Sequence, residues 1–325
     1  MRLEAPHEKR ISDFHPQREQ FLEEALRGLT KTPKELPTKY LYDEHGSELY
    51  ERICSLKEYY IPRLEIRIME HHIREIVGLL DTDANLIEFG CGSCNKTRIL
   101  LDNMPDLAAY VPIDISKKQL ISETDELSKL YPELQILPVC ADFTQTFPLP
   151  NPEHPGKRNV VYFPGSSIGN FGPESGKSLL TNIANICQPG GALLIGVDLV
   201  KDPEVLYRAY NDSQGVTAAF NLNLLTRINR ELGADFNIEA FRHEAFYNQE
   251  MGRVEMHLIS LKDQIVHLGR RRIPFLRGES IWTESSYKFS LDSFAAMAGD
   301  AGFSVEKVWT DEKRRFSLQY LVANG

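Results

Sequence analysis

The chain has 325 residues, 42% of them apolar and 26% charged, with a formal net charge of −9. That balance repels phosphate backbones and anionic lipid, which argues against nucleic acid or a membrane surface as partner. No apolar run approaches the roughly 18 residues of a membrane span, and "MRLEAPHEKRISDF" at the N-terminus lacks the apolar core of a signal peptide, so a cytoplasmic protein is expected.

In chain order, "PQREQFLEEALRGL" (Pro16–Leu29) places Phe21, Leu22, Ala25 and Leu29 on one face of a helix. "SELYERICSL" reads as a short helix started by Ser47 as N-cap after Gly46. "IPRLEIRIMEHHIREIVGLL" reads as a longer one with Pro62 in its first turn. The pattern then changes to strands at 85–89, 109–114, 134–140, 159–164 and 191–200, separated by "NKTRILLDNM", "SKKQLISETDELSKLY" and "PESGKSLLTNIANIC". Near-continuous apolar strands alternating with helices predict a parallel sheet covered on both faces.

After Val200 the rhythm breaks. A helix is expected around "GVTAAFNLNLLTRINREL", then a hairpin in "HEAFYNQEMGRVEMHLISL" turning near Glu250–Gly252. "FSLDSFAAMAGDAGF" returns to helix, and "SVEKVWT" and "SLQYLVAN" are strands placed to finish the sheet. The sheet domain is therefore expected at 64–199 and 290–325, with 1–63 and 200–289 forming a second lobe.

Five cysteines (Cys54, Cys91, Cys94, Cys140, Cys187) are scattered along the chain. Cys91 and Cys94 make a lone C-x-x-C inside a glycine turn, where small residues filling a tight bend are the simpler account than zinc or redox chemistry. His71 and His72 are adjacent, so on a helix they point about 100° apart and cannot share an ion. No metal is expected.

The chemistry centres on "LIEFGCGSCNKTRILL" (Leu86–Leu101), where a strand ends, two glycines follow, and a helix begins. Ligands of open parallel sheets sit at such a strand-to-helix turn. A dinucleotide fingerprint would need a third glycine at position 95, which is Asn, and no Gly-Lys-Ser/Thr of a phosphate loop is present. The remaining pattern, Glu88-Phe89-Gly90-Cys91-Gly92, suits S-adenosylmethionine, whose amino-acid and ribose parts need close backbone approach but which carries no pyrophosphate. Asp114 ends the second strand, where a carboxylate can accept both ribose hydroxyls. Asp142 and Phe143 end the third, offering a polar group to the adenine amine and an apolar one to its ring. Each acidic strand end is commonplace alone; three in order favour a methyl-donor site.

"KYLYDEHGSELYERI", "KEYYIPR", "EFGCGSCNKTR", "CADF", "FPGSSIGNF", "DLVKDPEVLYRAYND", "GVTAAFN" and "TESSYKF" resemble the histidine Nα-methyltransferases of ergothioneine biosynthesis across nearly the whole chain. The resemblance implies an α/β fold, a Rossmann-like class I methyltransferase domain with a second, substrate-binding α+β lobe. It implies three successive methylations of the L-histidine α-amine to hercynine, with S-adenosylmethionine as co-substrate and no metal. Gly90, Lys96, Asp114, Asp142, Phe143 and Gly165 are then expected around the methyl donor. Asn170 is expected at the substrate's amino-acid head, Tyr210 and Tyr42 at its carboxylate, and Tyr59, Glu284 and Ser286 around the imidazole. No residue is singled out as a chemical catalyst; Asn170, Tyr59 and Glu284 are expected to position.

Taken singly, these residues have plainer readings: Lys96 as a solvated helix charge, Asn170 as a turn former, the tyrosines as half-buried packing, Glu284 and Ser286 as a strand edge. Their i, i+2 spacing does put the last two on one face of a strand. Cys91 and Cys94 stand where small or hydroxyl residues are usual in the family, and the segment after Met104 is short. Two rivals stay open: an N-methyltransferase of another amino acid or aromatic amine, tryptophan-like, and a non-catalytic methyl-donor-binding module. A monomer is expected.

Overall fold

The computed structural model describes residues 11–14, 18–81, 83–92 and 95–325. Pro16, Gln17 and Cys94 of the sequence reading lie outside them. The N-terminal part holds β1 (Ser12–Phe14), α1 (Arg18–Leu29), β2 (Lys34–Glu35), a 3-10 turn (Thr38–Leu41), α2 (Glu44–Cys54) and α3 (Ile61–Leu80). Then come β3 (Ala84–Phe89), α4 (Asn95–Leu101), β4 (Ala109–Asp114), α5 (Lys117–Leu130), β5 (Gln135–Ile136), β6 (Val139–Ala141), β7 (Arg158–Phe163), a 3-10 turn (Ser167–Asn170), α6 (Pro173–Cys187) and β8 (Ala192–Asp198). The next stretch contributes α7 (Pro203–Tyr210), α8 (Val216–Leu232), β9 (Phe241–Asn248), β10 (Arg253–Ser260), β11 (Gln264–Leu268), β12 (Arg271–Phe275) and β13 (Ser280–Tyr287). The chain ends with α9 (Leu291–Asp300), β14 (Phe303–Thr310) and β15 (Phe316–Ala323).

The main sheet runs β1-β6-β4-β3-β7-β8-β15-β14, with β5 also on β4. Its strands are parallel except β15, which is antiparallel to both β8 and β14. Because β4 and β7 flank β3, the strand order reverses at β3, and a crevice opens beyond its carboxyl end. All residues of β3 and β8 are buried, which is why both read as nearly continuous apolar runs, broken only by Asn85, Glu88 and Asp198. One face is covered by α6 and α9 through Leu179, Leu180, Ile183 and Phe294; the other by α3 through Leu64, Ile68, Met69, Ile76 and Leu80. The α3 side continues without a break into Phe220, Leu224 and Ile228 of α8, so one core serves both lobes. The second lobe is built on a sheet of order β2-β13-β10-β9, with a separate β11–β12 hairpin.

Several expectations need correcting. Ser12–Phe14 pairs in parallel with β6, so the N-terminal 63 residues do not lie wholly in the second lobe. The strand expected at 134–140 is two short pieces, β5 and β6, separated at Leu137–Pro138, since proline has no N–H to give a ladder. α2 begins at Glu44, capped by Asp43 and not by Ser47. The Asp43 carboxylate accepts from Gly46 N at 2.8 Å and is held by Asn223 of α8 at 2.7 Å, leaving Ser47 a turn inside the helix. β2, α7 and the β11–β12 hairpin are short elements that periodicity does not announce. Among the described residues, no helix is long and apolar enough to cross a membrane.

Candidate active site between the two sheets

Beyond β3 the chain turns through Gly90 (φ 73°) and Gly92 (φ 50°), left-handed conformations that disfavour any side chain. A Cβ at Gly90 would lie 3.8 Å from the Phe143 ring, so that ring stands over the turn. Phe143 is itself backed by Phe89, Phe163 and Phe171, with ring centroids 5.5, 5.6 and 6.3 Å away. Glu88 points beneath the turn. Its Oε2 accepts from Thr97 Oγ1 at 2.6 Å and Tyr110 OH at 2.5 Å, and burial pushes its carboxyl up to about 7. The acidic residue of the glycine motif is thus a brace joining β3, α4 and β4.

Asp114 closes the turn. Its Oδ2 accepts from Gly92 N at 3.2 Å and its Oδ1 from Ser116 N at 2.8 Å, while burial raises its carboxyl above the usual range. Asp142 Oδ1 accepts from Thr144 Oγ1 at 2.6 Å, and its Oδ2 faces Lys39 Nζ at 3.1 Å. On the other side, Gly165 (φ 74°) follows β7, and a Cβ there would meet Lys96 Nζ at 3.4 Å. Glu65 of α3, fully buried, joins this pair: it takes Lys96 Nζ at 2.7 Å and Gly165 N at 3.0 Å. Gly90 with Phe143, Gly92 with Asp114, and Lys96 with Gly165 therefore gather along the carboxyl ends of neighbouring strands. A glycine cradle walled by an aromatic ring, a carboxylate and an ammonium fits a methyl-donor nucleoside bearing an amino acid.

The second group of expected residues also converges. Tyr42, Tyr50, Phe220, Tyr59 and Tyr210 form a chain of edge-on rings: Tyr42–Phe220 at 5.5 Å, Tyr42–Tyr50 at 5.5 Å, Tyr50–Tyr59 at 6.4 Å and Tyr59–Tyr210 at 6.1 Å. Burial raises the pKa of all four tyrosines, keeping them neutral hydroxyls. β13 runs past them. Its pairing with β10 skips Thr283, so Met256 faces Glu284 and His257 faces Trp282. That irregularity shifts the alternation and buries Thr283, Glu284 and Ser286 alike.

Burial pushes the Glu284 carboxyl up to about 7, against the pull of Lys288, and its Oε2 is buried without a hydrogen-bond partner. Ser286 Oγ accepts from Tyr210 OH and Lys288 Nζ, each at 2.7 Å. Asn170 ends its 3-10 turn beside this strand. Gly169 allows the approach, since a Cβ there would sit 2.9 Å from Tyr287 O. The segment from Gly165 to Asn170 thus spans both sites, its start against Lys96 and its end against β13.

Sequence reading missed a supporting set. Asp198, at the end of β8, accepts from Tyr60 OH at 2.8 Å, Lys201 Nζ at 2.6 Å and Lys288 Nζ at 2.9 Å. Its backbone N donates to Ser166 Oγ at 2.9 Å, tying down a left-handed serine (φ 60°) in the "GSS" turn. Burial alone would raise the Asp198 carboxyl; the two lysines outweigh it and hold the carboxyl below its ordinary value. Asp198 did leave a trace, a charge near the end of the otherwise apolar stretch "GALLIGVDLV", whereas Glu65 and Lys288 stand among other polar residues that hide them. Among the described residues, no three His, Cys, Asp or Glu side chains gather as a metal site.

The model of one family, described as "Histidine-specific methyltransferase, SAM-dependent", matches residues 21–323. The chain is 41% identical over 309 residues to a protein of Mycolicibacterium smegmatis named histidine N-alpha-methyltransferase, covering 92% of this chain and 95% of that one. A protein of the same name from Mycobacterium tuberculosis is 40% identical, covering 90% and 91%. Ergothioneine biosynthesis protein 1 of Neurospora crassa is 31% identical over 86% of this chain but only 32% of its own length. The chain belongs to the family of histidine-specific, S-adenosylmethionine-dependent methyltransferases.

Proposed function

We propose that the protein methylates the α-amine of L-histidine three times, forming hercynine in the first step of ergothioneine biosynthesis. The names of its mycobacterial and fungal relatives support the reaction and its pathway. The observation that carries the substrate is Glu284: a buried carboxylate oxygen without a partner, next but one to Ser286, is suited to the N–H of a small polar ring. An apolar aromatic side chain would leave that oxygen unsatisfied, at a cost of about 1–3 kcal/mol or more.

S-adenosylmethionine supplies an activated methyl group on a sulfonium, so the protein's task is to bring a neutral amine in line with it and keep water out. In this reading Asp114 accepts the ribose hydroxyls, Asp142 and Phe143 take the adenine, and Gly90, Lys96 and Gly165 hold the methionine end. Glu65 fixes Lys96 against Gly165. Tyr42 and Tyr210 donate to the substrate carboxylate, Asn170 holds the amino-acid head, and Tyr59, Glu284 and Ser286 surround the imidazole. One rigid segment, Gly165–Asn170, then sets the distance between donor and amine.

The reading is tested by incubating the protein with isotopically labelled S-adenosylmethionine and each proteinogenic amino acid. Label should pass to histidine, and mass spectrometry should show mono-, di- and trimethylated product with no label in the imidazole. Transfer to tryptophan in preference, or to none, would overturn it.

A further inference from the structure

Lys288 is a buried ammonium with three N–H bonds and three acceptors. These are Asp198 Oδ2 at 2.9 Å, Tyr210 OH at 3.1 Å and Ser286 Oγ at 2.7 Å. The Lys288 and Asp198 side chains are both fully buried. An ammonium only donates, so the oxygens of Tyr210 and Ser286 must turn lone pairs toward it and their protons elsewhere. Within the protein the single proton of Tyr210 goes to Ser286 Oγ at 2.7 Å, and a charged carboxylate reaching Tyr210, the stronger acceptor, takes it over. Without that carboxylate Ser286 accepts twice, and its own proton can only point away from both.

The charges give a second, independent constraint. Asp198 already has a cation in Lys201, whose Nζ lies 2.6 Å from Oδ1. Lys201 is also met by Asp311, so of the two ammonium groups on Asp198 it is Lys288, sealed from water, whose positive charge one shared carboxylate meets only in part. A buried charge met only in part is unfavourable unless an anion approaches it. Glu284 is one such anion, close enough to feel Lys288. Tyr210, between Lys288 and the ring of Tyr59, offers the route for another.

We propose that Lys288 is a positioning and specificity-determining residue, which by donating to Tyr210 and Ser286 makes both hydroxyls donors toward the substrate. The groups they meet must then be acceptors: an α-carboxylate at Tyr210 and an unprotonated ring nitrogen at Ser286. With Glu284 accepting the ring N–H, a neutral imidazole is satisfied at both nitrogens, and an imidazolium is refused at Ser286. A decarboxylated amine leaves the partly met charge without its anion. This inference rests on the histidine reading above.

Lys288→Met keeps the length of the side chain, and Asp198 retains Lys201 and Tyr60 as partners. The experiment measures by calorimetry the dissociation constants of L-histidine and of histamine, which lacks the carboxylate, for protein saturated with S-adenosylhomocysteine. In Lys288→Met, histidine should weaken about 10- to 100-fold, the range expected when a hydrogen bond to a charged group is lost, and the ratio of histidine to histamine affinity should fall at least about tenfold. Adding Lys288→Met to Tyr210→Phe should change that ratio much less, because Lys288 acts through Tyr210. Equal losses for both ligands, or unchanged histidine affinity, in a protein with wild-type circular dichroism would overturn the proposal. Should Lys288→Met not fold, Lys288→Gln keeps a donor without the charge, and the same ratio decides. If the wild type binds another amino acid in place of histidine, the functional reading fails, and the ratio for that amino acid against its decarboxylated amine still judges Lys288.

Discussion

Lys39 Nζ lies 3.1 Å from Asp142 Oδ2, across the boundary between the 3-10 turn that leads to Tyr42 and the end of β6. A single ion pair therefore links the expected adenine carboxylate to the segment carrying one of the expected substrate tyrosines. Lys39 also holds Glu24 at 2.9 Å, which anchors it to α1. Partly exposed pairs contribute up to about 1 kcal/mol, so Lys39→Met should weaken S-adenosylmethionine binding about three- to fivefold. Titration calorimetry reads it directly, and unchanged donor affinity would show the pair to be ornamental.

Asp114 should matter more. Its carboxylate already secures the Gly92 amide, and hydrogen bonds to a charged group contribute about 1.5–3 kcal/mol each. Asp114→Ala should lower donor affinity at least about tenfold with circular dichroism unchanged, and Asp114→Asn, which can still accept, should lose less. A full-affinity alanine variant would remove Asp114 from the donor site.

Glu284 ties stability to pH. Burial raises its carboxyl from 4.5 to about 7 in the folded protein. A raised carboxyl means the folded state holds the proton where the unfolded chain has released it. Its favourable contribution is full below about 4.5 and is lost as pH rises through about 7. Glu284→Gln has no proton to lose, so the variant's stability relative to wild type should rise by on the order of 1–3 kcal/mol between pH 5 and pH 8. Urea unfolding of the ligand-free proteins at several pH values measures the difference; a difference constant across that interval would mean Glu284 ionises normally.

The nucleophile must be an uncharged amine, and none of the residues around the expected amine position is a strong base. Single-turnover methylation of histidine should therefore rise from about pH 6 toward pH 9, as an amine of near-neutral to basic pKa sheds its proton. A flat single-turnover profile would require a group in the site that takes the proton earlier.

How much of this was legible in the sequence divides along one line. The strand–glycine–helix turn, the alternation of β3 to β8 with helices, the hairpin of β9 and β10, and the choice of Gly90, Asp114 and Asp142 as expected donor residues follow from local rules. A buried strand must be apolar, a left-handed turn wants glycine, and a ligand crevice opens where strands end. Those rules act over a few residues, so composition and spacing carry them. Resemblance to the family added the tyrosines, Asn170, Glu284 and Ser286, whose spacing alone says little.

What only the tertiary structure decided is which charges face one another. Glu65 meets Lys96 from 31 residues away, Lys39 meets Asp142 from 103, and Lys288 meets Tyr210 from 78. Asp43 displaced Ser47 as the cap of α2 for the same reason, since Asn223 and Arg230 of a distant helix reach it. A buried charge is tolerable only beside its partner. That partner is brought there by the packing of whole elements, which no short stretch of sequence can specify.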